Sequence, residues 1–574
     1  MFSFKRFLVA TAAACISAAA VAQVTSYDAT SSVLTIPSVS VGAATFTNVT
    51  LRNVGNFTFS LLDAKAQTPS APGVASYDAL SNLLTLPAVK VGDATFLDVK
   101  LLNTGNFVFT LQAATALPQS VSDELAAYAR ALEAQFATAP PPNGAARLAL
   151  ADACWRDNGR TRVNFIADHD ANIATYLQRD AYIVGRKVQN LQVLAVRNLA
   201  NPDGSSRREI EFQYDQAFRD GTVARASKEV LISGSSAGTP GCTSPQTGTA
   251  LRTMGNQQLV QTSVRAVNYR DERYTFASGS AASPAVNYRR EIQFNIVDPM
   301  GNVSYVTLTG PGPAATVSGA AVQFSMKLLS PRLLRDAPEL VGKNGNFLNW
   351  LDDDTFRNCR MANGSVPVAG IVDCVGQGGA TNVWGWTTTT PNAAADQGFA
   401  DQGWVAGGAY RFDVYNDDGW KTVNGQAGKT PIATYYATLD RLPYTFVEMT
   451  NKYPLINLGG MSTAQLASNA ISATPLPLAL SWTAPGLQSD GQKHQLFQVW
   501  EYHQGAKLGN AGSAFNPAYR TLNRAYPGTL ATSTTSFPVS AKLPDQSSKT
   551  YTEYNLFFSD PSSFNSIQSR ISLQ

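Results

Sequence analysis

The first hundred residues repeat themselves. Val24–Leu62 aligns without a gap to Val74–Gln112 at a period of 50, with 23 identities in 39 positions. Tyr27 matches Tyr77, Pro37 matches Pro87, Gly42 matches Gly92, and Asn53-x-Gly-Asn-Phe57 matches Asn103-x-Gly-Asn-Phe107. Within each copy apolar residues alternate, as at Val39 and Val41, Val49 and Leu51, then Phe57, Phe59 and Leu61. That period describes half-buried antiparallel strands. Gly42 and Asn53/Gly55 stand where turns are required. A unit of about three strands is too small to bury a core alone, so the two copies are expected to pack together. Pro37 and Pro87 predict edge strands or strand breaks, because proline cannot donate to a ladder. The repeat region spans 23–117, with units 23–66 and 73–116.

Export follows from the residues ahead of the repeats. Lys5 and Arg6 form a short basic start, Phe7–Ala19 is apolar and alanine-rich, and Ala20-Val21-Ala22 offers small-x-small before Gln23. This is the layout of a cleavable leader, 1–22, cut between Ala22 and Gln23. The apolar run is shorter than the roughly 20 residues that span a bilayer. A lipoprotein leader modified at Cys15 is the alternative, although Ala12 stands where a large aliphatic residue belongs. No later run is long enough for a transmembrane segment, so none is expected in the mature chain. With Cys15 removed, Cys154, Cys242, Cys359 and Cys374 remain. In an oxidising compartment these read as two bridges with three possible connectivities, of which sequence neighbourhood favours Cys154–Cys242 with Cys359–Cys374. The location is periplasmic, cell-surface or extracellular.

The expected fold class is mainly β: several domains of antiparallel β-sandwich-like modules, with a helix near residues 122–138. The 574 residues exceed one core, and 44% hydrophobic residues supply several. Ser122-Asp-Glu opens a run in which Leu125, Tyr128, Ala129, Leu132 and Phe136 recur at helical spacing, with acids in the first turn. A Pro-rich linker ends it, so 118–144 is helix and linker, with the helix packing on the next domain. In 145–328 turn signals stand at Asn201-Pro-Asp-Gly204, Arg219-Asp-Gly221 and Asp298–Asn302. Arg207-Arg-Glu-Ile-Glu-Phe212 corresponds to Arg289-Arg-Glu-Ile-Gln-Phe294, which predicts two related β modules, 145–245 and 246–328. Their Arg-Arg-Glu triplets read as the solvated face of a strand. Residues 329–470 are rich in Gly and Trp, with a hairpin at Asn416–Gly419 and a capping box at Ser462 and Gln465.

Leu478-Ala-Leu-Ser-Trp482, Leu496–Tyr502, Tyr551–Phe558 and Ile567–Leu573 form an alternating strand series around one tryptophan. The region 471–574 thereby resembles a fibronectin type III domain, with Trp482 as core tryptophan and Tyr554 as corner tyrosine. The resemblance implies a module that spaces neighbours or binds proteins and glycans. The N-terminal units resemble short tandem repeats of exported bacterial proteins of unknown function. That likeness implies location rather than mechanism.

Catalytic motifs are few. Gly234-Ser-Ser236-Ala-Gly238 fits G-x-S-x-G, but Thr239-Pro-Gly-Cys242 follows where the elbow needs a helix, so it reads as a loop leading to a disulfide. Gly425–Thr430 departs from a phosphate loop in spacing and is stopped by Pro431. His169, His494 and His503 are too few for a histidine-based zinc site, and no metal or catalytic residue is assigned. Calcium is the one cofactor kept open. Asp413–Gly419 has closely spaced oxygen ligands but puts Val414 at the first position of a calcium loop. Asp352–Asp354 could help bind the ion, although three adjacent acids more often form a solvated turn. A net charge of +3, or +1 after subtracting Lys5 and Arg6, excludes a polyanion-binding field, so no nucleic-acid partner is expected.

What remains is a binding site. Trp384, Trp386, Trp404 and Trp420, with Asp417 and Asp418, would make an aromatic face that stacks on sugar rings. The leading expectation is a non-enzymatic exported protein that binds a protein or polysaccharide ligand. A glycan-active hydrolase using Asp413, Asp417, Asp418 and Glu448 is the first alternative. A self-assembling structural protein of the surface is the second.

Overall fold

The computed structural model describes residues 24–574 except 68–73, 172, 174–182, 220–222, 275–283, 299–302, 318–319, 330–356, 360–382, 417–429, 459, 463, 466–476, 492–493, 505–517, 523–534, 543–550, 561–564 and 574. Within these residues the chain is mainly β, in several sheets.

The repeats build one sheet. Copy one gives β1 (Ser26–Asp28), β2 (Val33–Val41), β3 (Ala44–Gly55) and β4 (Thr58–Gln67). Copy two gives β5 (Ala75–Asp78), β6 (Leu83–Val91), β7 (Ala94–Gly105) and β8 (Val108–Ala116). The order is β1-β2-β3-β4-β8-β7-β6-β5, and β1 also pairs β6 while β5 pairs β2, so the sheet closes on itself. Each copy lends a short strand to the other. Pro37 sits in β2 between the residues paired to β1 (33–35) and those paired to β5 (39–41), where no second neighbour needs its missing N–H. The proline is thus a changeover inside a paired strand rather than the mark of an edge. Repeat identities have contacts behind them. Asn53 Nδ2 donates to Tyr27 Oη at 3.1 Å and the Tyr27 ring stands edge-on to Phe59; Asn103, Tyr77 and Phe109 do the same. Ile36, Leu51, Leu86 and Leu101 fill the interior.

Helix α1 (Gln119–Ala134) packs Val121, Leu125, Tyr128 and Leu132 between Ala88 and Leu97 of this sheet and Ile210, Phe212 and Leu231 of the next. It starts three residues before Ser122, behind Pro118, with no acidic residue in its first turn. The expected start therefore shifts: the fixed φ of Pro118 leads directly into the helix. Short α2 (Gly144–Arg147), β9 (Arg156–Asp157), β10 (Arg160–Thr161) and α3 (Arg162–Ala171) precede β11 (Lys187–Ala200), β12 (Ser206–Ala217), β13 (Val223–Gly234) and β14 (Arg252–Thr253), which form a four-stranded sheet in that order.

The remaining strands are β15 (Gln261–Tyr274), β16 (Ala285–Val297), β17 (Tyr305–Val317), β18 (Ala320–Leu329), β19 (Arg357–Cys359), β20 (Val383–Thr388), β21 (Gly408–Tyr415), β22 (Ala433–Leu439), β23 (Ile456–Asn457), β24 (Pro477–Trp482), β25 (Gln495–Gln504), β26 (Ala518–Leu522), β27 (Thr535–Lys542), β28 (Tyr551–Ser559) and β29 (Ser566–Leu573). They combine as β20-β16-β15-β29-β28-β25-β26, as β19-β18-β17-β21-β22 and as β23-β24-β27. Sheets cross every boundary expected after residue 145. β14 joins β13 across 245/246, and β29 pairs in parallel with β15 over Val267–Tyr274 and Ser566–Leu573.

The turn expected at Asp298–Asn302 lies between strands of two different sheets rather than within a hairpin, and its residues 299–302 lie outside the described residues. Strand β12 is flanked by β11 and β13, whereas β16 is flanked by β15 and β20. The two Arg-Arg-Glu segments thus have unlike surroundings. Nor is the second one solvated: Arg290 and Glu291 are both buried, and burial raises the Glu291 carboxyl. The core between the seven- and five-stranded sheets holds Ile292, Phe294, Leu308, Phe412 and Val414.

Candidate binding site

Strand β20 places Trp386 directly across from Arg290 of β16. Helix α4 (Ala393–Ala400) follows at once, capped by Asn392, whose side chain accepts from Ala395 N at 2.9 Å. The Trp386 ring lies on Gly398 of that helix, so closely that a Cβ there would stand 2.5 Å from ring atom Cζ2. Trp386 remains 38% exposed, so one side of the indole is held and another is open to solvent. The helix itself is clamped. Arg290 donates to Asp396 Oδ1 at 2.9 Å and to the Pro443 carbonyl at 2.8 Å, with its guanidinium 4.1 Å from the Phe399 ring centre. Asp396 in turn accepts the backbone N–H groups of Phe446 and Val447 at 2.7 and 3.2 Å.

Trp404 belongs elsewhere. It is 5% exposed, packs on Phe294 and donates its Nε1–H to Gln402 at 2.8 Å. It is a core residue, which removes it from the expected aromatic face. Gln402 also donates to the Gly385 carbonyl at 3.1 Å, tying β20 to the residues after α4. The backbone of Trp384 lies in β20. Trp420, Asp417 and Asp418 lie outside the described residues, as do Asp352–Asp354, Cys374 and the leader. Of the six residues expected to form the site, the structure brings Trp386 to an ordered surface.

The other acids proposed for hydrolysis are engaged. Asp413 accepts from Arg411 at 3.0 Å and Thr434 at 2.6 Å. Glu448 accepts from the Ser489 N–H at 2.9 Å and its hydroxyl at 2.6 Å. Ser236 is fully buried: its Oγ donates to the Gln246 carbonyl at 3.2 Å, accepts from Gln246 N at 2.8 Å and lies 3.3 Å from Cys154 Sγ. The G-x-S-x-G segment is a loop folded onto the Cys154–Cys242 bridge, whose Cα atoms are 5.1 Å apart. Beside it Asp152 and Arg252 form a buried ion pair at 2.8 Å, and Arg252 also donates to the carbonyls of Gly234, Gly248 and Ala250. Among the described residues no three His, Cys, Asp or Glu side chains come together as a metal site.

A second polar cluster had no mark in the sequence. One residue beyond the last ladder pairs of β25, β28 and β29 stand His494, Asp560 and Asn565. All three are buried, and among the described residues neither ring nitrogen of His494 has a hydrogen-bond partner. Tyr444 meets His494 edge-on at 5.8 Å and donates its hydroxyl to Asp490, which also pairs with Arg441. Burial holds the His494 imidazole down to about 4, against the pull of Asp560. Burial, then Asp560, pushes the Asp440 carboxyl up to about 6. His494, Asp560 and Asn565 form the buried floor of this cluster, while Asp490 and Arg441 stay partly exposed at about a quarter of their side-chain surface.

No protein-family model matches the chain, and no curated protein matches it. Among solved structures it is similar to red sea bream transglutaminase at 8% identity, over 66% of this chain and 41% of that one, with a TM-score of 0.11. The chain spans about two-fifths of that protein's length, and a likeness at this level carries no argument about fold or chemistry.

Proposed function

We propose that this is an exported, non-enzymatic binding protein of the envelope or the extracellular space, and that its ligand is a glycan that stacks on Trp386. The observation that carries the reading is the half-exposed indole held against Gly398 and a clamped helix. A rigid aromatic face loses little entropy on binding and suits the apolar face of a sugar ring. The leader-like residues 1–22 and the Cys154–Cys242 bridge support export. The strand orders β26-β25-β28-β29 and β23-β24-β27 support the fibronectin type III resemblance of the C-terminal region, a module of display and binding. Engagement of Asp413, Glu448 and Ser236 in structural hydrogen bonds weighs against the hydrolase alternative. The test is a panel of polysaccharides and esters offered to purified protein. Turnover that disappears with Asp418→Ala or Ser236→Ala would overturn the proposal, whereas binding without turnover is expected.

A further inference from the structure

Strands β4 and β8 pair over Thr58–Ser60 and Val108–Thr110, with Phe59 facing its repeat equivalent Phe109, and backbone bonds from Leu61 N to the Phe107 carbonyl and from Leu111 N to the Phe57 carbonyl end the contact. They run antiparallel, so each continues past the hairpin tip of the other. The segment Leu62–Gln67 therefore pairs with β3 on one side and, among the described residues, with no strand on the other. An unpaired edge presents N–H and C=O groups ready to take another strand. A register shift opposite Leu62 precedes this edge, and Ala66 is exposed. Ala64 packs toward the interior, Asp63 and Lys65 are exposed, and Leu62 is left 46% exposed. Neither charged group has an ion-pair partner among the described residues.

We propose that this edge pairs antiparallel with the same segment of a second copy of the chain, centred on Ala64. In that register Asp63 stands across from the partner's Lys65 and Lys65 across from the partner's Asp63, on the solvent face. Ala64 meets its own equivalent on the inner face, and Leu62 is covered opposite Ala66. A lysine on an edge ordinarily guards against such pairing. Here it selects the register: a slip that keeps the faces matched sets Asp63 against Asp63 or Lys65 against Lys65, and like charges directly opposite repel. The corresponding edge of copy two, Gln112–Ala116, carries no charge that could select a register. The contact is isologous, so it closes as a twofold dimer. An edge pair alone falls short of the roughly 1,000 Å² of a stable interface, so the dimer should come apart on dilution.

Sedimentation velocity of the full chain over a concentration series tests this independently of any glycan. A reversible monomer–dimer equilibrium is expected. Asp63→Lys and Lys65→Asp should each weaken it about tenfold, since each turns two cross-strand attractions into repulsions, and the double swap should restore it. A chain that stays monomeric throughout overturns the proposal. So does a dimer indifferent to the single reversals, or one that the double swap fails to rescue.

Discussion

Replacing Asp440 with asparagine should stabilise the protein at neutral pH and not in acid. Burial and the neighbouring Asp560 raise the Asp440 carboxyl to about 6 from its ordinary 3.8. A raised carboxyl favours the protonated form in the fold, so its ionisation costs stability above the folded value and costs nothing below the unfolded one. The difference of about two units corresponds to about 3 kcal/mol, at roughly 1.4 kcal/mol per unit. The asparagine side chain keeps the shape and carries no charge. The gain of the variant should therefore be near zero at pH 3.8, grow between pH 4 and 6, and level off at about 3 kcal/mol by pH 7. His494 has the opposite sign. Its imidazole, held near 4, favours the fold while neutral, and that contribution is lost as pH falls from 6.5 towards 4. In the wild type the contributions of Asp440 and His494 oppose each other between pH 4 and 6. In Asp440→Asn the histidine slope stands alone. Scanning calorimetry at pH 4 and pH 7 reads this out, with the transition that contains the cluster rising by roughly 5–10 °C at pH 7. An equal offset at both pH values, or a loss at pH 7, would refute the reasoning.

Three further outcomes follow from the same contacts. Asp152→Ala leaves Arg252 buried without its carboxylate, and unfolding by denaturant should show a loss of about 3–5 kcal/mol. Removing the Cys154–Cys242 bridge as a double serine variant releases a loop of 88 residues' separation, and the chain-entropy estimate is about 4.5 kcal/mol of stability at 25 °C, readable from the same titration. Phe57→Gly should stabilise the repeat sheet by about 1 kcal/mol in thermal unfolding, because Phe57 sits at φ +53° with its side chain 64% exposed.

How far the fold could be read in advance varied with range. Period-two alternation and turn residues located the repeat strands, because register within a hairpin is a local property. The exchange of β1 and β5 between copies, and the parallel pairing of β15 with β29, join residues far apart in sequence. Arg570 and Asp271, which bridge that pair at 2.8 Å, are 299 positions apart, and no local pattern announces such a partner. Trp404 departs from expectation for a related reason: density of tryptophan does not say which face each one occupies. The Trp384-Gly385-Trp386 alternation held the usable signal, since a strand edge with a bare backbone between two indoles invites close approach. His494 had no signal at all, its role depending on carboxylates brought in by other loops.

Trp386 bears the functional proposal, so a tryptophan-fluorescence titration of the purified chain against soluble polysaccharides tests it most directly. Saturable quenching by at least one polymer is expected, and it should vanish in Trp386→Ala while circular dichroism shows that variant still folded. Quenching that persists in that variant, or no saturable response to any polymer, would contradict the account.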